Sequence, residues 1–156
     1  MGTSRSPAEL ASKLIRAGEA VPAAARAGVS QAAFLVKKSV QAELQAAGVN
    51  GGRLRGVGKK GAKVGVSYTV AGTEHPTALI RATGPMHLIE SDTKAHEIKA
   101  KKAHAINIGG VGPRASAHHP GTRGKHPWAK GVDHAIPLVP EVMFKEQAKS
   151  LRRFFS

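Results

Sequence analysis

The sequence contains no cysteine, which excludes a disulfide framework and every thiolate-based metal site. Aromatic residues make up only 4% of it, so the core has to be built from Val, Ile, Leu and Ala, and its interior is modest. Acids are scarce too: ten Asp and Glu stand against 24 Lys and Arg, for a formal charge of +14. A self-repelling excess of that size implies an acidic neighbour, either nucleic acid or an acidic protein surface. No apolar run approaches the roughly 18 residues of a membrane-crossing helix, and Met1 to Ser6 lacks the apolar stretch of a signal peptide. A soluble chain with no membrane partner is expected. What is present is 156 residues with 41% hydrophobic content, enough for a single domain over 1–156 and too little for two large ones.

Enzymatic chemistry has little to stand on. Of the eight histidines, His118, His119, His126 and His134 fall in one short region. Without cysteine or a His-Glu-x-x-His helix, solvated or interface histidines are the expectation, with no metal site. Gly58-Lys59 and Gly124-Lys125 resemble the end of a phosphate-binding loop. The glycine that should stand five residues earlier is Arg53 or His119, and the magnesium-holding hydroxyl is replaced by Lys60 or His126. The carboxylates are scattered, and there is no Gly-x-Ser-x-Gly elbow. No catalytic residue, no cofactor and no enzyme activity are expected.

The local patterns predict an α+β fold, in which an antiparallel sheet of about four strands packs against a long helix and a C-terminal helix. Ser6-Pro7-Ala8-Glu9 is a capping box that starts a short helix ending near Gly18, followed by a linker to 28. Over 29–48 the apolar residues Val29, Ala33, Val36, Val40, Leu44 and Ala47 keep the spacing of one buried helical face, with Gly48 as the stop. Residues 49–61 read as a basic, Gly-rich loop, and 62–117 as the sheet. Within the sheet, Val64, Val66, Tyr68 and Val70 alternate along one strand. Further strands are expected over 77–83 and 86–91, with a strand pair over 96–102 and 104–108. A His, Pro and Gly loop occupies 118–131. The last helix, 132–156, carries Phe144, Ala148, Leu151 and Phe155 on one stripe.

The segment from His118 to Trp128 is built like a joint: Pro120-Gly121 and Gly124 favour turning, Pro127 fixes φ, and Trp128 supplies an anchor. Around it run the cations. Arg53, Arg55, Lys59, Lys60 and Lys63 form one cluster; Lys99, Lys101, Lys102, Arg114, Arg123, Lys125 and Lys130 belong to another. All are candidate contacts to a DNA backbone or to an acidic partner, since phosphate contacts need only cations along a groove. A free basic nucleic-acid-binding protein satisfies the charge equally well.

The order of segments narrows the choice. A basic strand with His96 and Ile98, a Gly109-Gly110 turn, His119-Pro120-Gly121-Thr122, then Pro127-Trp128 before an apolar helix resembles the tail-completion or neck family of long-tailed bacteriophages (siphophages) over about Lys94 to Met143. The resemblance implies a non-enzymatic virion protein at the head-to-tail junction, made in the host bacterial cytoplasm. There it would form a homo-oligomeric ring of six copies around the channel for double-stranded DNA, between head-closure or portal-side proteins and tail proteins. A tail-terminator ring of the same module is the alternative. His96, Ile98, His119, Pro120, Gly121, Thr122, Pro127 and Trp128 are the assembly residues that it implies.

Overall fold

The first helix begins where the capping box predicts: the Ser6 hydroxyl accepts the Glu9 N–H, and the Glu9 carboxylate accepts the Ser6 N–H, both at 3.2 Å. It does not stop at Gly18. In the computed structural model, which describes residues 6–49, 52–54, 62–99, 106–108 and 112–155, helix α1 runs unbroken over Pro7–Ala46, about 60 Å at 1.5 Å per residue. The expected linker is therefore helix. Gly18 and Pro22 read as breakers, but six of the eleven residues from Ala17 to Ala27 are alanine, the strongest helix former. A second helix packs along this stretch. Together these offset the roughly 3 kcal/mol that an internal proline costs.

The remaining elements are β1 (Arg53–Leu54), β2 (Ala62–Lys63), β3 (Gly65–Ala71), β4 (Thr77–Thr83), the single turn of helix α2 (His87–Glu90), β5 (His96–Lys99), β6 (Ile106–Ile108), β7 (Gly112–Arg114), β8 (Ser116–His119), α3 (Pro127–Ala135), a 3₁₀ turn (Ile136–Leu138) and α4 (Val139–Arg152). The fold is α+β. Among the described residues the strands pair two by two, as β1–β2, β3–β4, β5–β8 and β6–β7, all antiparallel. The sheet layer is thus a set of ribbons.

Three local expectations change. Within 86–91, His87–Glu90 form α2 instead of a strand, because Gly84 adopts φ +75° and turns the chain into Met86 and Ile89, both buried. Strand 96–99 pairs with 116–119, and 106–108 with 112–114, so those two segments are not partners of each other. The stretch expected as loop up to 131 becomes helix at Pro127, and a second helix follows.

The core sits where α1 meets the ribbons and α3. Val36, Val40 and Leu44 of α1 pack with Val49, Val64, Val66, Met86, Ile89 and Ala135, flanked by Ile80, Trp128, Val132 and Val139. Strand β3 buries Val66 and half-buries Tyr68 and Val70 while Ser67 and Thr69 face out, as the two-residue alternation predicts. Helix α3 crosses α1 at Gly131, where a methyl group would lie 2.5 Å from the Val40 Cα and 2.7 Å from its nitrogen. Helix α4 crosses at Gly28, where a methyl would meet the Met143 carbonyl oxygen at 3.0 Å. Going from α3 to α4, contacts on α1 therefore move toward its N-terminus.

Candidate assembly joint and basic surface

The joint is pinned along its length to residues 89–93. Thr122 and Thr93 exchange backbone hydrogen bonds at 2.9 and 3.2 Å, and the Thr122 N–H also reaches the Thr93 hydroxyl at 2.8 Å. Gly124 N–H donates to Asp92 Oδ1 at 2.6 Å, and Lys125 N–H donates to the Ile89 carbonyl at 2.8 Å. Gly121 has φ +87°, and a side chain there would run into the backbone of Thr93 to Ala95. Only glycine fits this turn without strain.

Helix α3 has no cap of its own. Its N-cap, His126, is held in the left-handed region at φ 51°, and Pro127 has no N–H to offer. The next two N–H groups, of Trp128 and Ala129, donate instead to Glu90 Oε2 at 2.8 Å and Oε1 at 3.1 Å. A carboxylate from α2 thus satisfies two otherwise orphaned donors at the positive end of α3. Pro127 is fully buried, and half-buried Trp128 packs on the core.

Glu90 and Asp92 did not stand out in the sequence, because their partners are over 30 residues away and a capping motif is read locally. Arg26 escaped notice for the same reason: its guanidinium donates to the Gly72 carbonyl at 2.7 Å and the Val70 carbonyl at 3.2 Å, tying the β3–β4 turn to α1.

The motif residues form one connected unit. His96 and His119 are register partners across β5–β8 and stack with ring centroids 5.1 Å apart. His119 Nδ1 accepts the Gly121 N–H at 3.1 Å, and His96 Nδ1 bonds the Lys94 carbonyl at 2.9 Å. Ile98 lies opposite Ala117 and is 41% exposed; every β5 residue is exposed. Pro120 is exposed where the chain leaves β8.

The candidate cations divide among several places. Arg53 and Lys63 are direct partners across β1–β2, at the base of the basic loop. Lys99 pairs with Glu97 at 3.3 Å. Lys125 Nζ donates to the Ala47 carbonyl at 2.8 Å, so it caps the C-terminal end of α1, a favoured site for a cation. Lys130 lines an open hollow beside it with Glu43 and Ala46. Arg114 and Arg123 are exposed on β7 and in the joint. Arg55, Lys59, Lys60, Lys101 and Lys102 lie outside the described residues. Among the described residues no three metal-ligating side chains converge, and no helix is long and apolar enough to cross a membrane.

The arrangement defines a helix-backed scaffold with a pinned joint and two-stranded ribbons. The chain matches no protein-family model, and neither a curated protein nor a solved structure is detectably similar to it.

Proposed function

We propose that this protein is a structural subunit of a ring at the head-to-tail junction of a long-tailed bacteriophage, a tail-completion or neck component around the DNA channel. The observation that carries the reading is the motif order His96-x-Ile98, His119-Pro120-Gly121-Thr122 and Pro127-Trp128, whose residues share one ribbon and the joint that follows it. Two further features support it. Two-stranded ribbons with an exposed strand, such as β5 in β5–β8, are marginal alone and gain order from a neighbour. A +14 chain is at home beside DNA or acidic rings.

The test is charge reversal in a phage carrying this gene. Lys59→Glu, Lys60→Glu and Arg123→Glu together are expected to yield heads without tails, and normal virions would overturn the reading. Lys125 is left out because its ammonium caps α1.

The charge also favours a second reading, a free nucleic-acid-binding protein. Tight duplex binding by the purified protein at about 0.15 M salt, falling steeply as salt rises, would support it over the ring.

A further inference from the structure

The corner of the joint is held by a side chain of the type that changes charge near neutral pH. The Gly121 N–H donates to His119 Nδ1 at 3.1 Å. A backbone N–H only donates, so Nδ1 carries the lone pair and the ring is neutral, with its proton on Nε2. His96 is the opposite tautomer. Its Nδ1 faces the Lys94 carbonyl at 2.9 Å, and a carbonyl only accepts, so there Nδ1 carries the proton and Nε2 is the atom that titrates. A proton added to His96 leaves the Lys94 bond intact. One added to His119 goes to Nδ1, the atom that receives Gly121, and sets two donors face to face.

The surroundings give the charged His119 ring no compensation. The two imidazoles stack with centroids 5.1 Å apart, so charging both sets like charges side by side. Strand alternation puts Glu97 and His118 on the opposite face of the β5–β8 ribbon, and Glu97 is bonded to Lys99 at 3.3 Å. Asp92 is engaged with the Gly124 N–H. Lys94, Arg123, Lys125 and His126, which complete the titratable groups of the flanking segments, carry no negative charge. Among the described residues neither ring enters an ion pair. The turn itself has little freedom to re-aim its N–H: Gly121, at φ +87°, is wedged against the backbone of Thr93 to Ala95, and Pro120 fixes φ just before it. Thr122, the next residue, carries the paired bonds to Thr93. Disturbing Gly121 therefore disturbs the bridge that pins the joint.

We propose that His119 is an acid-sensitive latch on the joint: neutral, it holds the 120–122 turn against 93–95, and protonated it lets that turn go. The closed joint has a place only for the neutral ring. The latch is therefore intact above the range in which histidine charges and is lost as pH falls through it, between about 8 and 5. The contact between α1 and α3 responds in the other direction, since His134 Nδ1 lies 3.3 Å from Glu43 and charging that ring strengthens the attraction. Acid thus loosens the joint without unseating α3. The latch lies within one subunit and stands whether or not copies assemble, so it goes beyond the ring reading.

Amide spectra of the isotope-labelled full chain, recorded from pH 8 down to 5, test this. The Gly121 and Thr122 signals are expected to move together with the His119 ring signals. Exchange of the Thr93 and Thr122 amides, corrected for its intrinsic pH dependence, should rise by about 10-fold, the equivalent of one hydrogen bond. Amides of Val36, Val40 and Leu44 should hold still. His119→Asn puts a carboxamide oxygen near the position of Nδ1, where it accepts at every pH, so its Gly121 and Thr122 signals should stay flat. His96→Asn keeps a donor for the Lys94 carbonyl and should leave the transition in place. Wild-type Gly121 and Thr122 signals that do not follow His119, or that still move in His119→Asn, would overturn the latch. Should that variant not fold, the wild-type series decides on its own.

Discussion

Leu44 and Leu14 are leucines of the same helix, yet one is 3% exposed and the other 55%. The C-terminal half of α1 is covered by α3, α4 and the ribbons, with glycines at both helix crossings allowing close approach. The turns from Pro7 to Arg16, with Leu10 and Leu14, are exposed apart from half-buried Lys13. Periodicity therefore tells which face of a helix seeks a partner. Whether that partner belongs to the same chain is decided by where the other helices end.

The widest break between the halves is expected in stability. Leu44→Ala should cost about 3 kcal/mol in denaturant unfolding, as a buried leucine cut to alanine does. Leu14→Ala in dilute protein should change it by less than about 0.5 kcal/mol. Equal losses would mean that the N-terminal turns are buried after all.

Pro22 sharpens the comparison, since it sits between the halves. In a continuous helix Pro22→Ala restores a backbone hydrogen bond and should stabilise by about 1 to 2 kcal/mol, part of the roughly 3 kcal/mol difference in propensity. A linker at 19–28 would instead gain nothing and lose the rigidity that proline gives. Calorimetric melting distinguishes the two.

Glu90→Ala probes the joint, which belongs to the covered half. Leaving the N–H groups of Trp128 and Ala129 without their carboxylate should cost about 1 to 2 kcal/mol, the range for a lost helix cap. Glu90→Gln should recover part of it. No loss in either variant would show that Glu90 does not cap α3.

The smallest effect is local to α4. Lys145 bonds Glu141 at 2.6 Å, and this hydrogen bond and the lysine charge hold the exposed Glu141 carboxyl below its usual range. A depressed folded-state carboxylate contributes stability above its unfolded pKa and loses it as pH falls through the folded value. Lys145→Ala should therefore move the Glu141 titration upward in an NMR pH series. An unchanged titration would mean that the pair does not persist in water.

Much of the local structure was legible: the Ser6–Glu9 capping box, the Val66–Val70 alternation, the 77–83 strand and the final helix all arise from interactions within a few residues. What was not legible depends on distant partners. Gly18 and Pro22 stay helical within an alanine-rich run, with α4 crossing α1 nearby at Gly28. Residues 86–91 coil because Met86 and Ile89 both find the core from one turn. The joint's turn chemistry was readable at Pro120-Gly121, but the groups that hold it, Glu90, Asp92 and Thr93, come from some 30 residues away. The apolar spacing from Phe144 to Phe155 was visible and turned out to be only partly buried, with Ala148 and Leu151 half-buried and Phe144 71% exposed. That exposure is something no periodicity reveals.

Amide hydrogen exchange along α1 at low and high protein concentration tests the central claim most directly. The account predicts that amides 32–46 are protected at both concentrations, because the subunit covers them. Amides 10–16 should exchange quickly at both, because those turns are exposed. Exchange over 10–16 as slow as over 32–46 would contradict it.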